Sequence, residues 1–226
     1  MSTPAAILLS GGMDSSTLLW WLKERQEEPI HAVSIDYRQR HRVELECAAR
    51  LAARAGVAEH KLLDLDLTAV GGSPLTDASL EVPDAQDARQ IDTVVPFRNM
   101  LFITLAAAYA ETRGIHDLYI APVKDDFQAY RDCRRPFYDS LEQSLHLGAT
   151  VDRPFRIHTP FIDRWKSELL PLGLELGVPY ELTHTCYAGR RPACGRCDAC
   201  AERIAAFRTN GATDPLPYEI EIDWES

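Results

Sequence analysis

The stretch Ile7-Leu8-Leu9-Ser10-Gly11-Gly12-Met13-Asp14-Ser15-Ser16-Thr17 decides how the chain is read. A short apolar run leads into two glycines and then into a helix start carrying Asp14 and the hydroxyls of Ser15 and Ser16. Glycine accepts positive φ and places no Cβ between the backbone and a bound group. The N–H groups of such a turn and of the first helical turn converge on one spot, where the helix dipole favours an anion. Ser10, Ser15 and Ser16 add hydroxyl donors. The pattern is a phosphate cradle, yet it lacks the GxxxxGK[ST] spacing and the lysine of the Walker loop.

Working outward, Ser15 to Glu28 predicts a helix with Leu18, Leu19 and Leu22 as its apolar stripe. Ile30 to Asp36 alternates as a second strand, with Asp36-Tyr37 at the carboxyl end where ligands sit in open α/β sheets. A helix running from about Arg40 to Gly56 and a third strand from His60 to Leu67 follow. Met100 to Arg113 predicts a helix closed by Gly114, Leu118 to Val123 a fourth strand, and Pro136 to Leu147 another helix. Phe155 to His158 gives a short fifth strand, and the helix opening at Trp165 is expected to bend or break at Pro171. Alternating strands and helices predict an α/β fold with a doubly wound, mostly parallel five-stranded sheet. Thr68 to Val95 shows neither period and reads either as a lid over the site or as a disordered connection. Arg98 and Asn99, before the third long helix, read either as ligands of phosphate or substrate or as a solvated arginine with a capping asparagine.

The 226 residues, 46% hydrophobic and 26% charged, suit one domain with a small appended module. A net charge of −10 argues against a broad grip on nucleic acid. No apolar run approaches the roughly 18 residues of a membrane span, and no basic leader precedes the first apolar run, so the expected compartment is the cytoplasm.

Four of six cysteines crowd together as Cys186-x7-Cys194-x2-Cys197-x2-Cys200. Overlapping CxxC steps place thiolates within reach of one ion, and a fourth closes a tetrahedron with no open position. Structural zinc is the expectation, and the spacing alone also admits an iron–sulfur cluster. Arg190, Arg191, Arg196 and Arg203 surround this module, either gripping phosphate or balancing the thiolate charge. The domain division expected is 1–180 for nucleotide binding and 181–226 for the metal module and tail.

The glycine stretch resembles the SGGxDS loop of the PP-loop ATP pyrophosphatases. With DYRQRHRVEL from Asp36, SPLTD from Ser73, VPFRN from Val94, YRDCR from Tyr130, Thr159-Pro160, Lys166 and THTCYAG…CGRCDAC from Thr183, the chain resembles the 7-cyano-7-deazaguanine synthase family of queuosine biosynthesis. That family adenylates the carboxylate of 7-carboxy-7-deazaguanine with ATP, lets ammonia attack to give an amide, and uses a second ATP to dehydrate the amide to a nitrile. The resemblance implies ATP binding by Leu9, Ser10, Gly11, Gly12, Asp14, Ser15, Ser16, Asp36 and Tyr37, with Asp14 supporting Mg²⁺. It implies catalytic roles for Asp14, Arg98, Lys124, Asp132, Arg134 and Lys166, Zn²⁺ on the four cysteines, and a homodimer. Asp132 and Arg134 would face the purine-like edge of the ring.

Where the family pattern has glycine, this chain has Arg38, Phe97 and Ala121, and Arg131 stands in an altered YRDCR segment. Side chains at glycine positions beside a ligand are expected to recontour the acceptor side. Two enzymatic readings therefore stand: a small-molecule synthase using ammonia, or a ligase of the antiphage-defence type that joins the adenylated deazaguanine to an amine of a partner protein. A nucleotide-sensing or RNA-binding module is the non-enzymatic reading, against which the intact loop and the acidic chain both weigh.

Overall fold

The computed structural model describes residues 4–25, 29–86, 93–127 and 130–225. Five strands, β1 (Ala5–Leu8), β2 (Ile30–Asp36), β3 (Glu59–Asp64), β4 (Asp117–Tyr119) and β5 (Arg156–His158), form one parallel sheet in the order β3-β2-β1-β4-β5. Helices α1 (Met13–Arg25), α2 (Val43–Ala55), α3 (Arg98–Glu111), α4 (Arg135–Gly148), α5 (Lys166–Glu175) and α6 (Asp198–Thr209) cover its faces and rim. β1 pairs with β2 through Leu8↔Val33 and with β4 through Ile7↔Tyr119, so the chain reverses its winding direction at β1. The crevice at that switch point, beyond the carboxyl ends of the strands, is where open α/β sheets receive ligands.

Alternation along β1 explains why helices sit on both faces. Ala5 and Ile7, with Leu9 just beyond the strand, point to a core shared with Leu18, Leu19 and Leu22 of α1, Ala48 and Ala52 of α2 and Leu169 of α5. Ala6 points to the other core, with Val33, Ile35, Leu118 and the α3 residues Ile103, Ala106 and Ala110. Burying each large aliphatic side chain contributes about 2 kcal/mol.

Several element boundaries differ from the sequence reading for identifiable reasons. α1 begins at Met13, two residues early, because Ser16 Oγ donates to the Gly12 carbonyl (2.6 Å) and draws the turn into the helix. The end expected for this helix, 26–28, lies outside the described residues. α3 begins at Arg98 behind Phe97, so Asn99 lies within the helix and caps nothing. α5 runs unbroken through Pro171. Proline cannot donate to the carbonyl four residues back, and that Ser167 carbonyl instead accepts from the side-chain amide of Asn210 at 2.8 Å.

The segment expected as a lid or a disordered connection is a strap across the rim over its described residues. Arg40 donates to the carbonyls of Asp77 (3.1 Å) and Leu80 (2.6 Å), and Ala85 N–H donates to Arg196 O at 2.8 Å. Asp84 pairs with Cys197, clipping the strap to the cysteine module. Among the described residues, no helix is long and apolar enough to cross a membrane.

Candidate active site

Gly11 stands at φ +89°, and a Cβ there would lie 2.2 Å from the Glu44 carbonyl oxygen, so only glycine lets the β1–α1 turn nest on the first turn of α2. The turn's own hydroxyls close on one another: Ser10 Oγ and Ser15 Oγ are 3.0 Å apart, and Gly12 N–H donates to Ser10 Oγ at 3.2 Å. His184 N–H donates to the Gly11 carbonyl (2.9 Å), tying the C-terminal segment to the cradle. Leu9, Ser10, Gly12, Asp14 and Ser15 line a cavity of about 250 Å³ at the switch point.

Lys166, the first residue of α5, is buried, with Nζ 2.6 Å from Glu202 and 3.5 Å from Asp14. Burial pulls its pKa down, but the carboxylates of Asp14, Glu202 and Asp126 outweigh it and hold the ammonium charged. Burial raises the Asp14 carboxyl against the opposing pull of Lys166. Burial likewise pushes Asp126 up to about 7, again against Lys166. Asp14 Oδ1 is sealed from solvent without a hydrogen-bond partner. A buried carboxylate oxygen left in this state beside a second carboxyl fits a hard cation such as Mg²⁺.

The other end of the cavity is aromatic. Arg98 lies 5.9 Å from the Tyr37 ring and 5.6 Å from the Tyr130 ring, with Nη1 donating to Tyr37 Oη at 3.4 Å. Among the described residues no carboxylate pairs with it. His41 and Glu44 come from the turn into α2 and from its first turn. Glu44 Oε1 accepts from Gln39 Nε2 (3.0 Å) and lies 3.4 Å from His41 Nε2. Burial pushes His41 down to about 3, so the ring is neutral at physiological pH. His184 and Tyr187, from the C-terminal segment, complete the wall.

Not every residue implied by the family resemblance reaches this cavity. Asp14, Arg98 and Lys166 line it, as do Leu9, Ser10, Gly12, Ser15 and Tyr37. Gly11 shapes the turn from behind, and Ser16 is wholly buried beneath it. Asp36 lies outside, held by Arg42 (2.5 Å) and Arg38 (3.8 Å). Lys124 stands over the Trp165 ring at 5.5 Å. Asp132 accepts from the Asn99 N–H (3.3 Å), and Arg134 reaches back to the Phe127 carbonyl (2.7 Å). None of these last three lines the cavity. Gln128 and Ala129, in the altered segment, lie outside the described residues.

The glycine departures are equally specific. Arg38 and Phe97 are the non-glycine residues with positive φ among the described residues, at 64° and 57°. Their backbones hold a conformation glycine favours. Phe97 is 69% exposed, and Arg38 pairs outward with Asp64 (3.2 Å). Neither side chain lines the cavity, nor does Arg131; Ala121 does. Of these departures, Ala121 is the one that lines the cavity among the described residues.

Cys186, Cys194, Cys197 and Cys200 place their sulfurs within 4.8 Å of one another, and Cys194 and Cys200 are 3.9 Å apart. A tetrahedral zinc with bonds of about 2.3 Å demands sulfur separations of about 3.8 Å, so the four thiolates fit a single ion. The N–H groups of Arg196 and Cys197 point at Cys194 Sγ (3.4 and 3.3 Å), as a metal knuckle requires. Arg203 does not serve phosphate: it is wholly buried and bidentate to Asp214 (2.6 and 2.7 Å). Arg190 and Arg191 pair with Glu219 and Glu46.

Sequence reasoning missed His41, Glu44, Asp126, His184, Tyr187 and Glu202. Most fall in or beside segments that carry the family resemblance, and only the fold shows that they share one cavity.

A model of the family "Queuosine biosynthesis protein QueC" matches residues 4–211. The "7-cyano-7-deazaguanine synthase" of Clostridium kluyveri is 43% identical over 223 residues, covering 96% of this chain and 98% of the relative. The protein of the same description from Nostoc punctiforme is 42% identical over 222 residues, covering 95% and 99%. The solved NMN synthetase of Francisella tularensis shares the fold, with a TM-score of 0.53 at 16% identity over 92% of this chain and 77% of that one. With relatives of this similarity spanning nearly its whole length, the chain belongs to the QueC family of queuosine biosynthesis proteins.

Proposed function

We propose that this chain is an ATP-dependent ligase acting as a 7-cyano-7-deazaguanine synthase, with ammonia as the amine donor. The observation that carries this reading is the family match over an intact cradle that opens into the same cavity as the half-buried Arg98. The carboxylate of 7-carboxy-7-deazaguanine attacks the α-phosphorus of ATP and pyrophosphate leaves. Ammonia then attacks the acyl carbon, AMP leaves, and the resulting primary amide is activated by a second ATP and dehydrated to the nitrile.

The residues divide this work between the two ends of the cavity. The backbone N–H groups after Gly11, with the hydroxyls of Ser10 and Ser15, hold the phosphates. Lys166 is held charged and in place by Glu202, and it neutralises charge on the departing pyrophosphate. Arg98, cationic and without a carboxylate partner among the described residues, holds the substrate carboxylate against the cradle. Asp14 and Asp126 would hold Mg²⁺, which supplies further charge neutralisation on the phosphates. The tyrosine walls exclude water, which would otherwise hydrolyse the acyl adenylate. The four cysteines would hold structural zinc, fixing α6 and with it Glu202. Residues 1–180 carry the nucleotide machinery and 181–226 the metal module, in the reducing cytoplasm where thiolates persist. The resemblance extends to a homodimer, for which the exposed Phe97, Met100 and Leu101 offer an apolar face.

Among the described residues no observation favours conjugation to a partner protein: Arg38 pairs outward with Asp64 and Phe97 is exposed, and neither lines the cavity. Incubation with ATP, Mg²⁺, ammonia and 7-carboxy-7-deazaguanine followed by mass spectrometry tests the reading. The nitrile is the expected product. ATP turnover that stops at the adenylate or the amide would overturn it.

A further inference from the structure

The cavity is lined by an arginine and an acidic side chain, both half-buried, that form no ion pair with each other. Arg98 and Glu44 both line it, yet no nitrogen of Arg98 comes within 4.0 Å of a Glu44 oxygen, the limit for an ion pair. Among the described residues neither has another charged partner within ion-pair distance. Among the described residues Arg98 donates to the Tyr37 hydroxyl and lies over the Tyr37 and Tyr130 rings, and its charge pulls the Glu44 carboxyl down through space. Glu44 has the Gln39 amide and the neutral His41. Leaving such charges apart in a low-dielectric site costs free energy unless a ligand bridges them. The bridging ligand must present an anion or acceptors at one end and N–H donors at the other.

Glu44 is built to receive those donors. Its Oε1 is occupied by Gln39 Nε2, and Gln39 is itself fixed by accepting from Tyr37 N–H at 2.9 Å and donating to the Ile35 carbonyl. Its Oε2 has no partner among the described residues and is not sealed from solvent, and the side chain keeps 15% exposure. Burial pushes this carboxyl up to about 7, a cost that N–H donors would offset. Asp132 and Arg134, the residues that the resemblance offers for the ring edge, do not line the cavity.

We propose that Glu44 reads the N–H edge of the deazaguanine ring, its free Oε2 accepting from N1–H and the exocyclic amino group while Arg98 takes the carboxylate. Glu44 is then the specificity-determining residue for a guanine-type ring. This inference rests on the functional reading above.

Calorimetric titration of the full chain separates the possibilities, using three ligands: 7-carboxy-7-deazaguanine, its analogue lacking the exocyclic amino group, and ATP. The wild-type chain should prefer the parent ring over the analogue by at least about tenfold, the loss expected for a buried acceptor left unpaired. In Glu44→Gln that preference should collapse to within about twofold, with the ATP Kd unchanged within about twofold. Glu44→Asp keeps the charge but withdraws it by one methylene, and should show an intermediate preference; it serves should the amide variant not fold. Full preference retained in both variants, or a parallel loss of ATP affinity, overturns the role of Glu44 alone. Wild-type chain that binds ATP but neither ring overturns the functional reading and this inference with it.

Discussion

The two ends of the cavity are built in opposite ways. The cradle end comes mainly from consecutive residues, Leu9 to Ser15, and its shape follows from backbone conformation: a glycine at positive φ packed on α2. The ring end comes from Tyr37, His41 and Glu44 around the start of α2, Arg98 at the start of α3, and His184 and Tyr187 more than eighty residues later. Local sequence specifies the first because neighbouring residues determine a turn. Only tertiary packing specifies the second, where charge burial rather than backbone geometry does the selecting. The cradle should therefore fail all at once when its backbone is altered, whereas the ring end should lose affinity side chain by side chain.

The largest effect tests the cradle. Gly11→Ala forces a Cβ to within 2.2 Å of the Glu44 carbonyl at a φ that alanine disfavours. It should lower stability by about 3 kcal/mol or more and abolish ATP binding, seen together in denaturant melts and titration. Next, Arg98→Lys keeps the charge but loses the planar fork among the tyrosines. It should lower kcat/KM for the deazaguanine by about 100-fold while the ATP Kd holds. Equal loss of both would mean that the two ends are one unit.

A smaller effect concerns pH. The folded-state pKa of Glu44, about 7, lies above its ordinary value of 4.5. The protonated carboxyl therefore favours the fold: its contribution is fully present below 4.5 and is lost as pH rises through about 7. Glu44→Gln removes that loss. Between pH 4.5 and 8 the variant should gain on the wild type by on the order of 1–3 kcal/mol, measured by urea unfolding.

The smallest effect belongs to the departures. Arg38→Gly with Phe97→Gly relieves left-handed strain but adds chain entropy, so stability should move by no more than about 1 kcal/mol. The KM for the deazaguanine should stay within about twofold. A large change in KM would return these positions to the acceptor side.

The same contrast explains what could be read from the sequence. The parallel sheet, the cradle and the four cysteines were legible because period, glycine placement and CxxC spacing are local. Pro171 was misjudged because the Ser167 carbonyl that it orphans finds Asn210, 43 residues later. Arg203 read as gripping phosphate or balancing thiolate charge, and the fold instead supplied Asp214 as its partner. Arg38 and Phe97 looked like pocket residues because a glycine pattern reveals that φ is positive but not where a replacement side chain points. Glu44 lay within a segment that carried the resemblance, but neither it nor Glu202 was singled out, since a glutamate on a helix is ordinary until a cavity opens beside it.

The central claim, that the cradle activates a carboxylate held by Arg98, is tested most directly by oxygen tracing. 7-Carboxy-7-deazaguanine labelled with ¹⁸O in its carboxylate, incubated with ATP, Mg²⁺ and ammonia, should pass label to AMP, because the attacking oxygen leaves on the α-phosphorus. Label appearing in inorganic phosphate with ADP as the nucleotide product, or unlabelled AMP beside product, would contradict the account.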